Sequence, residues 1–181
     1  MVANHNSHAD GVTLMTSVPV DRLAITYPVA AEDYFGKSKF SAFLYWFLIN
    51  LLLIPRKRDD KNPKRDPIFI LDSYLKNGKS LIFFPEGSRG KAGKIQVFKK
   101  GLGHLMKENM NIPIIPVYLE GIGRVLPKGN KIMLPGITKI YFGNPIFLEN
   151  ESVEEIVEKA ENAVHDLKNR CDNNNSSNLR E

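Results

Sequence analysis

The sequence predicts an α/β fold in which a mainly parallel, mixed sheet is flanked by helices. Two apolar runs, at residues 80–84 and 112–119, have the length and continuous apolar character of strands buried on both faces. Two further segments, at residues 66–77 and 152–167, repeat their apolar residues at helical spacing. Because strand and helix segments alternate along the chain, most strand pairs should be parallel.

A short helix and a short strand should precede these elements. The helix should begin near Asp10 and end near Ser17, and residues 23–27 have the composition of a strand. Pro28 should end that strand or mark a sheet edge, because proline has no N–H group for the sheet ladder.

The longest apolar run covers residues 40–54, FSAFLYWFLINLLLI, and follows a segment at 30–39 that predicts a loop and a helix start. We expect a helix over residues 40–53. Crossing a bilayer takes about 20 residues, so a buried or interfacial helix is favoured over a membrane span. A basic stretch at residues 55–65 follows. Two interpretations stay open, a membrane-surface element with a cationic patch and a core helix with a solvated loop.

The two amphipathic helices have recognisable ends. Asp66 and Pro67 suit the N-cap and first position of one helix, and Gly78 lies where its C-terminal cap is expected. Ser152 and Glu155 have the spacing of a capping box for the other helix. The apolar face of that second helix should contain Val153, Ile156, Val157, Ala160, Val164 and Leu167.

One more helix and up to four strands, including those at 80–84 and 112–119, should lie between these two helices. The helix is expected over residues 101–109, and one or two strands over residues 131–142. The strand at 112–119 contains Pro113 and Pro116, which must lie at a strand start, an edge or a bulge.

The chain length of 181 residues suits a single domain, expected over residues 1–171. Residues 172–181 are almost entirely polar, and we predict that they form a disordered tail. Cys171 is the only cysteine, which excludes an internal disulfide and a cysteine-based metal site. We interpret Cys171 as a bystander.

The net charge of +5 favours anionic partners, which are phosphate groups, an anionic membrane surface or nucleic acid. No aromatic-basic motif of the known nucleic-acid readers is present, so nucleic acid ranks last and is not expected as a partner. The first residues lack a basic segment followed by an apolar core, so no signal peptide is predicted.

His5 and Asp10, at the start of the chain, are the first candidate catalytic pair. A histidine exchanges protons near neutral pH, and a hydrogen-bonded carboxylate fixes its tautomer. The pair can meet if His5 lies on the loop before the first helix and Asp10 lies in its first turn. The structural alternative is a capping box with Ser7 as N-cap and Asp10 three residues later.

Glu86, Gly87, Ser88 and Arg89 form the second candidate site, directly after a predicted buried strand, where open α/β sheets form ligand crevices. Arg89 offers donors that match a phosphate, and Gly87 lets the backbone come close to a ligand. Glu86 could orient Arg89 or hold a substrate hydroxyl. The alternative is a turn flanked by an exposed ion pair.

Taken in this order, the two motifs resemble those of the glycerolipid acyltransferase family, which includes the 1-acylglycerol-3-phosphate acyltransferases. His5 and Asp10 match the His-x4-Asp block of that family, and residues 84–89 match its Phe-Pro-Glu-Gly-(Ser/Thr)-Arg block. The resemblance extends from Asn4 to about Pro145 and includes the sequence FKKG at residues 98–101.

Two less specific blocks of the family are also matched, at residues 53–56 and 112–117. The first of these ends in Arg56, where Pro55 replaces the usual polar or acidic residue, so Arg58 is a neighbouring candidate. Family members usually have helices before the histidine block. We therefore expect such N-terminal helices to be missing from this chain.

The resemblance implies O-acyl transfer from a thioester to a glycerolipid hydroxyl. His5 would act as the general base and Asp10 would orient it, with no protein nucleophile. The amides at the start of the following helix are possible oxyanion donors. The acceptor would be held by Arg56, Glu86, Gly87, Ser88 and Arg89. Surface or packing roles are expected for the remaining histidines, His8, His104 and His165.

The resemblance also implies the partners. The donor would be acyl-CoA or acyl carrier protein, with no other cofactor and no metal. The first expected acceptor is 1-acylglycerol-3-phosphate, giving phosphatidate in phospholipid biosynthesis, and another lysophospholipid or glycerol phosphate is the alternative. The expected location is peripheral, on the cytoplasmic face of a membrane, without a transmembrane span. The competing function class is a lipid-binding module without catalysis.

Overall fold

A computed structural model describes residues 1–34, 50–57, 62–125 and 134–177 of the chain. The chain divides into two compact units, one formed by Met1–Asp10 and Phe84–Glu181 and the other by Gly11–Phe83. Because the first unit combines both ends of the chain, this division does not follow one linker. The expectation of a single domain over residues 1–171 stays a prediction.

Strands and helices alternate along the described chain, which confirms the predicted α/β class. Short 3₁₀ turns lie at Glu32–Tyr34 and Pro63–Arg65. The strands and helices are, in order, β1 (Val2–Ala3), α1 (Asp10–Met15), α2 (Val20–Leu23), β2 (Thr26–Ala31), β3 (Leu52–Ile54), α3 (Pro67–Lys76), β4 (Ser80–Ile82), α4 (Gly101–Lys107), β5 (Pro116–Glu120), α5 (Ile122–Val125), β6 (Lys139–Phe142) and α6 (Val153–Ser177).

The first unit contains a mixed three-stranded sheet in the order β1-β5-β6. β1 pairs with β5 in parallel, with Ala3 opposite Val117, and β6 pairs with β5 antiparallel. Pro116 is the first residue of β5, a position where its missing N–H group is tolerated. Ile114 lies outside β5 and forms a separate antiparallel bridge to Ile146. The strand predicted over 112–119 is therefore shorter and begins later.

α4 and α6 cover the first unit with apolar side chains. Ile156, Ala160 and Val164 on α6 are fully buried, as their helical spacing predicts. The two helices approach closely, since a Cβ added at Gly103 would lie 2.3 Å from the Val153 carbonyl oxygen. Only glycine fits at that contact.

Both ends of α6 can be compared with the prediction. The capping box is confirmed, because Ser152 N donates to Glu155 Oε2 at 2.7 Å and Glu155 N donates to Ser152 Oγ at 3.3 Å. The disordered tail predicted from Asp172 is wrong up to Ser177, where α6 ends. The helix continues because Cys171 is fully buried and Lys168 pairs with Asp172 one turn later.

The second unit contains a fully parallel three-stranded sheet in the order β3-β2-β4. The strand predicted over 23–27 begins later, at Thr26, because α2 occupies Val20–Leu23. Pro28 does not end this strand. β2 pairs with β4 through Pro28 and with β3 from Val29 onward, so the proline lies where the pairing partner changes.

The apolar run predicted as a helix over 40–53 lies mostly outside the described residues. Its described end is a strand, since Leu52–Ile54 forms β3. Short runs of leucine and isoleucine fit either structure, and here parallel pairing with β2 decides for a strand. No helix within the described parts of the chain is both long enough and apolar enough to cross a membrane.

α3 has the predicted start and end. The Asp66 side chain accepts a hydrogen bond from Ile68 N at 2.8 Å, and Pro67 is the first helical residue. Gly78 follows with a φ of +70°, the left-handed conformation that glycine adopts at helix C-termini. Leu71 and Leu75 are buried and form the inner face of the helix.

Candidate active site

Beyond the end of β1, the side chain of Asn4 takes the place of the backbone in pairing with β5. Asn4 is fully buried, and its Oδ1 accepts from Leu119 N at 2.7 Å while its Nδ2 donates to Leu119 O at 3.1 Å. Nδ2 also donates to Asn6 Oδ1 at 2.8 Å. One amide thereby satisfies both main-chain groups of a β5 residue and fixes where the chain leaves the sheet just before His5.

His5 and Asp10 meet directly in the structure. His5 Nδ1 lies 2.8 Å from Asp10 Oδ2, and the Asp10 side chain is fully buried, whereas the His5 side chain is 23% exposed. His5 lies on the loop after β1 and Asp10 is the first residue of α1. The pair therefore combines a protected carboxylate with an imidazole that solvent can reach.

Asp10 also holds the loop between them. Its Oδ2 accepts from Asn6 N at 2.7 Å and from Ser7 N at 2.9 Å. The bond from Ser7 N is the one that a capping box predicts for Asp10, so the cap and the His5 contact coexist. Ala9 N donates to Ser7 Oγ at 3.2 Å. Three amides that precede α1 are thus already engaged within this loop.

The turn that carries Glu86 holds the main chain of His5 on both sides. His5 N donates to Glu86 Oε1 at 2.9 Å, and Gly90 N donates to His5 O at 2.8 Å. Glu86 is 2% exposed, and burial raises the pKa of its carboxyl group, partly offset by the hydrogen bonds that it accepts. This geometry favours a positioning role for Glu86 over direct contact with substrate.

Gln96 is a site residue that sequence reasoning missed. Its Nε2 donates to Glu86 Oε2 at 2.9 Å and to Ser88 O at 2.8 Å. A single amide therefore ties the Glu86 carboxylate to the main chain of its own turn. Nothing in the sequence marks a glutamine ten positions away as a partner of Glu86, because the contact depends on the path of the loop.

Phe84 is a second missed contact. Its ring stacks on the His5 ring with a centroid distance of 4.4 Å and an interplanar angle of 23°. The stacked ring limits rotation of the imidazole and shields one of its faces from water. Phe84 was part of the family motif, but no contact with His5 followed from the sequence.

Arg89 and His8 share the electrostatic environment of the His5–Asp10 pair. Burial lowers the pKa of Arg89, while the charge of Asp10 opposes this change. Burial also lowers the pKa of His8, and the positive charge of Arg89 and the neighbouring His5 lower it further. A surface or packing role was expected for His8, and the charges of Arg89, His5 and Asp10 act on it.

Gly87 has the left-handed backbone conformation, with a φ of +69°. A Cβ added there would lie 2.8 Å from Lys99 Nζ, so the missing side chain leaves room for Lys99. Ser88 is exposed next to it.

Arg56 lies in the other unit, Gly11–Phe83, where its Nε donates to both oxygens of Asp33 at 2.9 and 2.7 Å. Both side chains are about half exposed. The acceptor-binding role of Arg56 stays a prediction, and the alternative residue Arg58 lies outside the described residues.

The arrangement around His5 suits proton transfer. Because a carboxylate only accepts hydrogen bonds, Nδ1 of His5 carries the proton toward Asp10 and Nε2 keeps a lone pair. That nitrogen can take a proton from a bound hydroxyl group. Within the described parts of the chain, no cluster of three or more His, Cys, Asp or Glu side chains could hold a metal ion.

Comparison with known proteins places the chain in a family. The sequence model of the family described as Acyltransferase matches residues 1–120. Among curated proteins, 1-acyl-sn-glycerol-3-phosphate acyltransferase BAT2, chloroplastic, of Brassica napus is 28% identical over 151 residues, which are 81% of this chain and 40% of that protein. The 1-acyl-sn-glycerol-3-phosphate acyltransferase of Cocos nucifera is 33% identical, covering 86% of this chain and 48% of that protein.

A solved structure supports the same conclusion. The crystal structure of the 1-acyl-sn-glycerophosphate (LPA) acyltransferase PlsC from Thermotoga maritima matches with a TM-score of 0.65 and 26% identity, covering 92% of this chain and 65% of that one. This match confirms the predicted fold. The chain spans less than half the length of the two curated plant relatives. It belongs to the acyltransferase family, and the predicted resemblance to the glycerolipid acyltransferases is confirmed.

Proposed function

We propose that this protein transfers a fatty acyl group from a thioester to the free hydroxyl of a lysophospholipid, with 1-acylglycerol-3-phosphate as acceptor and phosphatidate as product. The observation that carries the proposal is the 2.8 Å contact between the solvent-accessible His5 ring and the buried Asp10 carboxylate. The names of the relatives from Brassica napus and Cocos nucifera support the choice of acceptor.

The proposed reaction uses His5 first as base and then as acid. Nε2 takes the proton of the acceptor hydroxyl while the oxygen of that hydroxyl attacks the thioester carbonyl carbon. The C–S bond then breaks, and the imidazolium returns a proton to the leaving thiolate, so that an ester and a free thiol result. Asp10 stabilises the imidazolium in between. The Phe84 ring, stacked on His5, supports this by limiting the orientations of the imidazole.

The acceptor is proposed to bind at Gly87, Ser88 and Arg89, whose turn is attached to the main chain of His5. Glu86 would hold this turn next to His5, since its carboxylate accepts hydrogen bonds from His5 N and from Gln96 Nε2. Arg56 is kept as a further acceptor-binding candidate.

A donor-acceptor panel tests the proposal. The protein is incubated with acyl-CoA or acyl-acyl carrier protein and with lysophosphatidate, lysophosphatidylcholine or glycerol 3-phosphate, and both thiol release and lipid product are measured. We expect thiol release and phosphatidate with lysophosphatidate. Acyl transfer only to another lysophospholipid would show that this lipid, and not 1-acylglycerol-3-phosphate, is the acceptor. Donor binding without thiol release for every acceptor would instead favour the lipid-binding module.

We further propose peripheral attachment to the cytoplasmic face of an anionic membrane. The net charge of +5 and the basic stretch at residues 55–65 support this proposal. Sedimentation with vesicles tests it: binding to vesicles with anionic lipid, weakened by salt, is expected, and equal binding to neutral vesicles would contradict the electrostatic part.

A further inference from the structure

A second cation lies at the turn that carries Arg89. The Lys99 side chain runs across Gly87, because a Cβ added at Gly87 would lie 2.8 Å from Lys99 Nζ and 3.2 Å from its Cδ and Cε. The backbone of Lys99 is fixed at the same turn, where its N–H group donates to Pro85 O at 3.0 Å. The backbone N–H and the ammonium group of Lys99 therefore both lie at this one turn.

No carboxylate neutralises this ammonium group within the part of the chain that the structure describes. The neighbouring lysine behaves differently, since Lys100 Nζ forms an ion pair with Glu154 Oε1 at 2.7 Å. An exposed lysine without an ion pair is common. Lys99 differs from such a lysine because the absent side chain of Gly87, with its left-handed φ of +69°, leaves the space that Lys99 fills.

The two cations near this turn suit one kind of ligand. A guanidinium such as that of Arg89 binds two oxygens side by side, whereas an ammonium is a compact point charge that can bind a remaining oxygen. A phosphate monoester carries about 1.5 to 2 negative charges near neutral pH, more than one cation neutralises. A neutral hydroxyl or a phosphodiester would gain less from a second cation.

We propose that Lys99 is a second binding residue for the phosphate monoester of the acyl acceptor, acting together with Arg89. The proposal rests on the proposed function and specifies which chemical group of the acceptor the site selects. The same chemistry would be offered by a lysophosphatidate headgroup or by water-soluble glycerol 3-phosphate.

Kinetics of Lys99→Met test the assignment, with Lys100→Met as the matched control at the adjacent position. Lysophosphatidate is compared with a monoacylglycerol, which has the hydroxyl but lacks the phosphate. Lys99→Met should raise KM for lysophosphatidate about tenfold, which corresponds to about 1.4 kcal/mol. Its kcat, and its KM values for acyl-CoA and monoacylglycerol, should stay within about twofold of wild type. Lys100→Met should change none of these values.

An equal rise in KM for both acceptors would overturn the proposal, as would a rise confined to acyl-CoA, which would assign Lys99 to the donor. Calorimetric titration with glycerol 3-phosphate and with glycerol gives a reading that does not need turnover. Wild type should bind glycerol 3-phosphate but not glycerol. Its affinity for glycerol 3-phosphate should be about tenfold higher than that of Lys99→Met. Equal affinity of the two proteins overturns the assignment. Binding that depends on Lys99 without acyl transfer would reject the proposed function and keep the phosphate site.

Discussion

Asp10 and Glu86 are both buried carboxylates, and their hydrogen bonds give them different tasks. Asp10 accepts from the ring of His5 and from two amides of the same loop. Glu86 accepts from the main chain of His5 and from Gln96. Asp10 therefore controls the orientation of the imidazole, whereas Glu86 fixes the path of the main chain that carries it.

Asp10→Asn separates these tasks. An asparagine can still accept from the amides of Asn6 and Ser7, but it cannot enforce the His5 tautomer that leaves Nε2 unprotonated. We expect kcat for acyl transfer to fall by about 10³- to 10⁴-fold, measured by thiol release. Thermal unfolding followed by circular dichroism should show that the variant is folded. A lowered melting temperature with unchanged kcat would mean that Asp10 serves only as a helix cap.

At the scale of single elements, the sequence predicted a helix or strand correctly where residues close in the chain determine its bounds. Asp66 with Pro67 and Ser152 with Glu155 marked two helix starts correctly, because a cap is decided by residues a few positions apart. β2 was predicted to begin too early, and Leu52 of β3 was predicted to lie in a helix, because both outcomes depend on pairing with distant strands.

The same distinction holds for the site. The meeting of His5 and Asp10 could be predicted from their spacing around a helix start. The partners Gln96 and Phe84 could not, because each contact depends on tertiary structure that brings distant chain segments together. The hydrogen bonds of Asn4 could not be predicted either, because they depend on the position of Leu119.

Asn4→Ala should weaken the junction between β1 and β5. Removing the amide leaves the buried N–H and C=O groups of Leu119 without partners, which costs about 1 to 3 kcal/mol for each such group. Urea unfolding should therefore give a lower free energy of unfolding with an unchanged m-value. Asn162→Ala, at an exposed position of α6, is the control and should stay within about 0.5 kcal/mol of wild type. Equal effects of the two substitutions would contradict the role of Asn4.

At the scale of the whole molecule, the sequence predicted the class of the fold but not its strand order. Alternating strands and helices predicted parallel pairing, which β1, β2, β3 and β4 confirm. The orders β1-β5-β6 and β3-β2-β4 join strands far apart in the chain, and the composition of a strand does not specify its neighbour.

The stability of the whole molecule should depend on pH through Glu86. Burial raises the pKa of Glu86 above its ordinary value of 4.5, so the folded protein binds this proton more tightly than the unfolded chain. The contribution of Glu86 to stability therefore falls as pH rises from 4.5 through the raised pKa, and is constant above it. The free energy of unfolding of wild type minus that of Glu86→Gln should decrease across this window. Urea unfolding at several pH values measures it, and a difference that increases with pH would contradict the burial of this carboxylate.

The most direct test of the account is thiol release from acyl-CoA with lysophosphatidate, compared between wild type, His5→Ala and His8→Ala. His5→Ala should lose at least about 10²-fold in kcat, because it removes the general base. The variant should remain folded, since the bond that His5 N donates to Glu86 and the bond that His5 O accepts from Gly90 N do not involve the ring. His8→Ala should retain most of its activity. A folded His5→Ala protein that turns over at the wild-type rate would show that His5 is not the base of this reaction.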